Sequence, residues 1–200
     1  MNPCHLAVMA KAPVAGLAKT RLIPALGAAG AAALAQRLLD HAVAQAVAAD
    51  IGPVTLWAAP DATHEIFVRL RSVHGLALAE QGVGDIGQRM ARIFAQARGP
   101  LLLMGTDLPA LTAAVLREAA AQLQQHDAVL VPALDGGYGL IGLRAPTPGL
   151  FDGVKWSTPR VMAQTRQRLA AAGLVHVELA AIADIDEAAD LVHLPPGWLP

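Results

Sequence analysis

Short apolar runs alternate along the chain with longer stretches in which apolar residues recur at helical spacing. The short runs predict β-strands, at HLAVMA (5–10), VTLWAA (54–59), LALAE (76–80), PLLLMG (100–105), AVLVPA (128–133), YGLIGL (138–143) and VHVEL (175–179). The longer stretches predict helices, over 28–49, 61–72, 85–97, 112–125, 158–172 and 186–192. Because strands and helices alternate in this order, the pattern predicts an α/β fold with a largely parallel sheet. Two neighbouring runs flank LDGG (134–137), which predicts a hairpin or a bulged turn within the sheet.

The composition restricts the classes of protein that this sequence can encode. Hydrophobic residues make up 54% of the 200 positions and charged residues 16%, which argues against disorder. A net charge of -1 gives no general electrostatic reason to bind nucleic acid or an anionic membrane. The single cysteine, Cys4, excludes an internal disulfide and a cysteine zinc cluster, and it suits a reducing compartment.

The most apolar stretch, 25–49, falls short of the ~20 uninterrupted apolar residues of a membrane span, because it is interrupted by Gln36, Arg37, Asp40 and Gln45. The apolar run at the N-terminus is too short for a signal peptide. We therefore expect a single cytoplasmic domain over residues 1–200, with no membrane span and no nucleic-acid partner. The sequence leaves the oligomeric state open, with a homodimer as one candidate.

The polar motifs follow the predicted strands, at the edge where the strands of a parallel sheet end. Ligands of open α/β sheets gather at that edge. MAKAPVAGLAKTRL (9–22) follows the first strand, EQGVGDIGQRM (80–90) follows the third, GTDLP (105–109) ends the fourth, and DGGYG (135–139) ends the fifth. We therefore expect these four segments to contribute to one site.

The first of these segments is rich in cations and contains no acidic residue. Lys11, Lys19 and Arg21 lie within eleven residues, and Gly16 allows close approach of a ligand to the backbone. The segment ends like a Walker A loop, but both glycines of that motif are missing. Unpaired cations beside a strand end suit a polyphosphate. From the residues alone, a solvated basic loop is an equally good interpretation.

Two carboxylates are candidates for a metal site. Asp107 ends an apolar strand, where one carboxylate together with substrate phosphates can hold Mg²⁺, or else caps the following turn. ADIDEAADL (183–191) contains several acids, and Asp186 is the candidate for the second ligand. Glu187 and Asp190 fit the acidic first turn of a helix instead.

Two further segments have both a functional and a structural interpretation. EQGVGDIGQRM lacks the G-x-G-x-x-G spacing of a dinucleotide site, so it is either a turn against a base or ribose or a plain strand-to-helix turn. ALDGGYGLIG (133–142) is either a wall of the substrate pocket or a tight turn. Trp156 either lines a pocket or belongs to the core or a lid.

The motifs occur together in an order that resembles the DUF2064 family of bacterial glycosyltransferase-like proteins. They are MAKAPVAGLAKTRLIPALG, EQGVGDIGQRM, LLLMGTDLPALT, VPALDGGYGLIGL, LFDGVKWSTPRVMAQT and ADIDEAADL, which together span nearly the whole chain. The resemblance implies a three-layer α/β/α sandwich with a mostly parallel mixed sheet, the nucleotide-diphospho-sugar transferase (GT-A, SpsA-like, Rossmann-like) fold. The chain is also similar to phospholactate guanylyltransferases and molybdenum-cofactor nucleotidyltransferases.

The resemblance further implies a role for each matching position. A phosphate-binding loop is implied at Lys11, Gly16, Lys19 and Arg21, and a segment near base and ribose at Gln81, Gly82 and Asp85. Metal ligands are implied at Asp107 and Asp186, and an acceptor region is expected around Asp135, Gly136, Gly137, Tyr138 and Trp156.

The chain departs from the family pattern in two places. DEAADL lacks the Thr-Pro of the related D-T-P-E-D-L, and Gly139 replaces the second aromatic residue of GGYYLIG. The second change is expected to remove a side chain from the acceptor region.

These features favour a Mg²⁺-dependent (or Mn²⁺-dependent) nucleotidyltransferase, with Lys19, Arg21 and Asp107 as catalytic residues. It would transfer a nucleotidyl group from an NTP to a small phosphorylated or hydroxyl acceptor and release pyrophosphate. A glycosyltransferase that uses an NDP-sugar is the alternative, and a non-catalytic nucleotide-binding module is a third hypothesis. Three cations in one loop favour a triphosphate, whereas the base, the sugar and the acceptor stay open.

Overall fold

A computed structural model describes residues 3–199 and shows strands and helices in the predicted order. The strands are β1 (His5–Lys11), β2 (Val54–Ala59), β3 (Ala77–Glu80), β4 (Leu101–Met104), β5 (Ala128–Pro132), β6 (Tyr138–Leu143) and β7 (His176–Glu178). The helices are α1 (Ile23–Ala48), α2 (Glu65–His74), α3 (Ile86–Ala95), α4 (Ala113–Gln122) and α5 (Val161–Ala171). The helix predicted over 186–192 is a 3₁₀ helix at Ala188–His193, and a second 3₁₀ turn, Thr20–Leu22, precedes α1.

All seven strands form one sheet in the order β3-β2-β1-β4-β6-β5-β7. Strand β6 runs antiparallel to both of its neighbours, β4 and β5, and the other strand pairs are parallel. The predicted hairpin is therefore present as β5 and β6. Tyr138 pairs with Pro132 and Leu140 pairs with Val131, so Gly139 is the extra residue of a β-bulge.

Alternating side chains of the strands enter two separate cores. Leu6 and Val8 of β1 pack with the buried residues of α1, α2 and α4, whereas Ala7 and Met9 pack with those of α3 and α5. This alternation places helices on both faces of the sheet. The predicted three-layer α/β/α sandwich with a mostly parallel mixed sheet is therefore confirmed.

A third, smaller cluster joins α1 and the turn before it to residues 185–198, near the carboxyl edge of the sheet. Leu22 and Ile185 are both fully buried in it, together with Ala31, Leu34 and Leu38 of α1. Trp198 of the C-terminal tail packs against the same cluster, and Arg37 donates a hydrogen bond of 2.7 Å to the carbonyl of Gly197. The cluster therefore fixes the loop after β1 relative to the segment before the last 3₁₀ helix.

The stretch Thr20–Ala48, which includes α1, is long enough and apolar enough to span a membrane, with a mean hydropathy of 1.4. In the fold, one side of α1 supplies Leu34, Leu38, Leu39 and Val43 to the buried clusters. Core helices of soluble proteins pass the same test of length and composition. This single helix is therefore weak support for a membrane span.

Candidate functional site

The predicted site residues Lys19, Asp107 and Asp186 meet at the carboxyl edge of the sheet. The side chain of Lys19 is only 7% exposed, and its Nζ lies 2.7 Å from Oδ1 of Asp107 and 3.1 Å from Oδ1 of Asp186. The same ammonium also donates to the main-chain oxygen of Ile185. Three oxygens from two distant segments of the chain thus converge on one cation.

Contacts other than the ion pairs also hold together the loop after β1, the turn after β4 and the segment before the last 3₁₀ helix. The main-chain N–H of Ile185 donates to the carbonyl of Asp107 at 2.9 Å, which ties the segment before Asp186 to the turn after β4. Lys19 itself has a left-handed backbone (φ 47°) that begins the 3₁₀ turn leading to the buried Leu22. Because Leu22 and Ile185 pack in the same cluster, the cation and its carboxylates are placed by the fold.

Arg21 adds a second cation on the outer side of this cluster. Its guanidinium lies 3.1 Å from Oδ2 of Asp186 and 3.7 Å from Oε1 of Glu187, and its side chain is 59% exposed. Asp190 accepts hydrogen bonds from the main-chain N–H groups of Asp186 and Glu187, at 3.0 and 2.7 Å. Asp190 therefore stabilises the start of the 3₁₀ helix, as the acidic first turn predicts, while Arg21 faces solvent.

A cavity of about 280 Å³ opens beside the cluster. Its walls are mainly acidic and consist of Leu134, Asp135, Ala183, Asp184, Asp186, Glu187 and Asp190, with Arg21 and His193. Burial raises the pKa of Asp184, and the negative charges of Asp135, Asp186 and Asp190 raise it further. The cavity is therefore an environment that favours a bound cation.

The other two residues of the predicted phosphate loop lie at its surface. Lys11, at the end of β1, is exposed and donates a hydrogen bond of 2.9 Å to the carbonyl of Leu17. Gly16 has a φ of 82°, and a Cβ at this position would meet no atom within 4 Å. Both residues leave the outer side of the loop open to a ligand.

Gln81, Gly82 and Asp85 have local structural roles in the fold. Gln81 is 4% exposed, and its amide donates at 2.9 Å to the carbonyls of both Ala10 and Trp57. Gly82 has a φ of 73°, and Asp85 caps α3 by accepting from the N–H of Gln88 at 2.8 Å. Their assignment to base and ribose stays a prediction.

Two arginines of α3, which are not among the predicted site residues, hold the glycine-rich loop before that helix. Arg92 donates to the carbonyls of Gln81 and Val83, at 2.5 and 3.0 Å. Arg89 donates to the carbonyl of Gly84 at 2.9 Å. Their spacing of three positions on the helix that follows the loop is the signal that identifies them.

The predicted acceptor residues divide between the cavity and the core. Asp135 lines the cavity and accepts a hydrogen bond of 2.8 Å from the N–H of Gly137. At Gly136, a Cβ would lie 2.5 Å from the carbonyl oxygen of Pro159, so this turn packs directly against the segment before α5. Tyr138 and Trp156 pack against the core on the α3 and α5 side.

Within that core, the hydroxyl of Tyr138 is buried, and this burial raises its pKa. The ring of Trp156 covers α3 at Gly87, where a Cβ would lie 2.6 Å from its Nε1. Among the described residues, Asp135 is thus the member of the predicted acceptor set that lines the acidic cavity.

The consequence expected for Gly139 is different in the structure. A Cβ at this position would lie 2.2 Å from Cδ2 of Leu108, which is itself 7% exposed. Gly139 therefore faces a buried leucine, and a side chain at this position would clash with Leu108.

A metal ion would have to use few protein ligands. Within residues 3–199, no group of three or more His, Cys, Asp or Glu side chains lies close enough to hold one. The oxygens of Asp107, Asp186 and Ile185 nevertheless converge on a single cation, the Lys19 ammonium. Hard oxygen donors of this kind fit Mg²⁺, which commonly uses one or two carboxylates together with substrate phosphates.

Comparison with solved structures identifies the fold. The chain is 28% identical to a provisionally named nucleotide-diphospho-sugar transferase from Desulfovibrio desulfuricans G20, with a TM-score of 0.85 over 96% of this chain and 85% of that one. It is 14% identical to a nucleotidyl transferase from Methanothermobacter thermautotroptrophicus, with a TM-score of 0.64 over 100% and 99% of the two chains. The predicted nucleotide-diphospho-sugar transferase fold is therefore confirmed.

A CMP:2-keto-3-deoxy-manno-octonic acid synthetase in complex with CTP has the same fold, with 11% identity and a TM-score of 0.58 over 96% of both chains. No protein with a curated description matches the sequence. The sequence pattern of a family described as an uncharacterized protein conserved in bacteria, DUF2064, matches residues 31–158, which is more than half of the chain. The chain therefore belongs to the DUF2064 family, as its motifs predict.

Proposed function

We propose that this protein is a Mg²⁺-dependent nucleotidyltransferase that releases pyrophosphate from an NTP. The observation that carries the proposal is the convergence of Lys19 and Arg21 with Asp107 and Asp186 at the carboxyl edge of the sheet. The CTP-bound structure of the same fold supports a nucleotide as the ligand. The acceptor would be a small phosphorylated or hydroxyl compound.

The chain's own cations would bind the phosphates of the donor. Arg21 is held by Asp186 yet is 59% exposed, so its free N–H groups can contact a phosphate oxygen without a change of fold. Lys11 lies on the exposed side of the same loop. Both charges would stabilise the negative charge that develops on departing pyrophosphate.

Asp107 and Asp186 would hold the divalent cation. When bound, Mg²⁺ supplies positive charge to the phosphate oxygens of the donor and the leaving group. Asp107 is fixed by the backbone contact with Ile185, and Asp186 by its contacts with Arg21 and Asp190. The two carboxylates are thus oriented before a ligand arrives, which reduces the cost of ordering them.

A glycosyltransferase with an NDP-sugar donor is the second candidate. It is favoured by the 28% identity to the Desulfovibrio protein, whose name describes a nucleotide-diphospho-sugar transferase. The same carboxylates and cations would then stabilise a nucleoside diphosphate as the leaving group. The two functions differ in the product that is released, pyrophosphate or nucleoside diphosphate.

A thermal-shift panel of NTPs and NDP-sugars, each with and without Mg²⁺, tests both candidates. The proposal expects a Mg²⁺-dependent rise in Tm with an NTP, and pyrophosphate release when that NTP is incubated with acceptors. Release of a nucleoside diphosphate from an NDP-sugar would instead establish the second candidate. If no nucleotide gives a Mg²⁺-dependent shift, both enzyme functions are wrong.

Matched variants separate the metal site from general effects of charge. Asp107→Asn is expected to abolish the Mg²⁺-dependent part of the shift. Asp50→Asn is the control, because Asp50 is an exposed residue between α1 and β2, at the opposite edge of the sheet. An unchanged Mg²⁺ response in Asp107→Asn would show that the metal assignment is wrong.

A further inference from the structure

The ammonium of Lys19 is paired with the residues that are proposed to bind the metal. Lys19 donates hydrogen bonds to Oδ1 of Asp186 and to the main-chain oxygen of Ile185, and it forms an ion pair of 2.7 Å with Oδ1 of Asp107. Its side chain is 7% exposed. In this arrangement the charge of Lys19 is directed at protein oxygens and is largely shielded from solvent.

A divalent cation and the Lys19 ammonium need the same oxygens. Asp107 Oδ1 and Asp186 Oδ1 lie 2.7 and 3.1 Å from Nζ, so both are in contact with the same nitrogen. A bound Mg²⁺ would require these oxygens at about 2.1 Å, which leaves no room for the ammonium. The two cations would also repel each other at this separation.

We propose that Lys19 and a divalent cation compete for one three-oxygen site, formed by Asp107, Asp186 and the carbonyl of Ile185. Cation binding displaces the ammonium, which then becomes available to a phosphate of the substrate. The proposal rests on the proposed function for the identity of that substrate. It also adds a main-chain ligand, the Ile185 oxygen, to the two carboxylates.

The surroundings of the site permit this exchange. Arg21 binds Oδ2 of Asp186, the oxygen that Lys19 does not use, so the carboxylate keeps a partner when the ammonium leaves. The Ile185 carbonyl is fixed by the buried side chain of the same residue and by the bond from its N–H to Asp107. The flexible four-carbon stem of Lys19 is therefore the mobile part.

The exchange couples the metal to the nucleotide. Without a phosphate, a displaced Lys19 has lost its contacts with three oxygens, so the free protein binds a divalent cation weakly. A phosphate gives the ammonium a new partner and thereby strengthens metal binding. By linkage, the metal strengthens nucleotide binding by the same factor.

Manganese alone, without any nucleotide, provides the test. Lys19→Met removes the competing cation, and Mn²⁺ binding measured by calorimetry or electron paramagnetic resonance is expected to become at least about tenfold tighter. Lys155→Met removes an equal charge from an exposed position outside the cluster and is expected to bind Mn²⁺ as the unmodified protein does. Adding Asp186→Asn to Lys19→Met is expected to abolish the gain, which would place the ion at this site.

An Mn²⁺ affinity of Lys19→Met that is equal to or weaker than that of the unmodified protein would overturn the exchange. If Lys19→Met does not fold, labelling of the unmodified protein answers the same question. The chain has only three lysines, Lys11, Lys19 and Lys155, so acylation of each is resolved by mass spectrometry. Mn²⁺ alone is expected to increase acylation of Lys19 and leave Lys155 unchanged; no increase at Lys19 would contradict the proposal.

These measurements involve neither nucleotide nor turnover. A failed exchange would leave the transferase proposal standing, with Lys19 as a permanent counter-ion of the carboxylates. A failed nucleotide panel with a positive Mn²⁺ result would leave the cation site and remove the proposed reaction.

Discussion

At the scale of single residues, Gly139 links the β-bulge of β6 to the turn that presents Asp107. Its carbonyl accepts a hydrogen bond of 3.0 Å from the N–H of Gly105, and the place of its absent side chain is occupied by Leu108. Asp107 lies between these two contacts in the sequence. The glycine therefore allows a close approach that holds the carboxylate in place.

Gly139→Ala is expected to destabilise the protein by about 1–3 kcal/mol, the usual cost of overpacking a filled site. The new methyl carbon would lie 2.2 Å from Cδ2 of Leu108, so Leu108 and the neighbouring Asp107 must shift. Urea denaturation measures the loss of stability, and the Mg²⁺-dependent nucleotide shift is expected to weaken with it. Combining Gly139→Ala with Leu108→Ala relieves the clash. The double variant should therefore lose less free energy of unfolding than the sum of the losses in the two single variants. Strict additivity would contradict this contact.

The residues of the site were only partly predictable from the sequence. The sequence predicts Lys19, Arg21 and Asp107 because they follow apolar strands, and Asp186 because it lies in an acidic segment. Their mutual pairing was not predictable, because Asp186 lies 167 positions after Lys19. The contact of Lys19 with the Ile185 oxygen is not predictable from the sequence, because a main-chain oxygen leaves no signal in residue type.

At the scale of elements, apolar runs predict every strand. The packing of the C-terminal segment against α1, in contrast, is visible only in the structure. The last 3₁₀ helix has no fully buried residue, and its Leu191 packs against the cluster of Leu22 and Ile185, as does Trp198 of the tail that follows. Trp198 of that tail lies edge-on to His41 of α1, with ring centroids 4.9 Å apart, and 5.7 Å from the guanidinium of Arg37. Trp198 and the segment that begins at Asp186 thus pack against the same cluster.

Trp198→Ala is expected to loosen this segment and to lower the free energy of unfolding by about 1–3 kcal/mol, below the cost for a fully buried tryptophan. Hydrogen exchange over residues 185–194 should accelerate more than exchange in the central strands. Leu199→Ala is the control, since its side chain is adjacent but 55% exposed. Equal exchange rates in Trp198→Ala and Leu199→Ala would argue against an anchoring role.

The edge strand β7 is joined to α5 by an ion pair whose effect depends on pH. Arg166 donates two hydrogen bonds of 2.7 Å to the carboxylate of Glu178. These bonds and the charge of Arg166, together with His176, hold the pKa of Glu178 below its usual value. A carboxyl with a lowered pKa in the folded state stabilises the protein above its unfolded-state pKa, and this contribution is lost as the pH falls through the folded-state pKa.

Glu178→Gln is therefore expected to cost roughly 0.5–1 kcal/mol at pH 7, a value limited by solvent screening of a partly exposed pair. The difference from the unmodified protein should shrink as the pH falls below about 4, where the carboxyl becomes protonated. Urea denaturation of both proteins, from pH 7 to below pH 4, measures this difference in the free energy of unfolding. Glu118→Gln, which alters an exposed glutamate of α4, provides the control. A difference that stays constant with pH would contradict the assigned role of the ion pair.

At the scale of the whole molecule, the candidate site joins the beginning, the middle and the end of the chain. Lys19 follows β1, Asp107 follows β4, and Asp186 precedes the last 3₁₀ helix. The small cluster around Leu22 and Ile185 is buried only when these segments are assembled. A ligand that binds across them should therefore stabilise the whole fold against unfolding, because none of the three segments forms the site alone.

Saturating Mg²⁺ and nucleotide are accordingly expected to raise the stability of the entire protein. At a hundred times the Kd, mass action contributes about 2.7 kcal/mol, which for a chain of this length corresponds to a rise in Tm of roughly 5–10 °C. Chelation of Mg²⁺ with EDTA should remove the rise in Tm while the nucleotide is still present, because the Lys19 ammonium then returns to the carboxylates. Differential scanning calorimetry measures the Tm of three samples: the protein with nucleotide and Mg²⁺, with nucleotide and EDTA, and without nucleotide. A nucleotide-induced rise in Tm that survives EDTA would show that the phosphates bind through Arg21 and Lys11 without the metal. A rise in Tm that is confined to a separate, partial unfolding transition would show that the ligand does not connect the three segments.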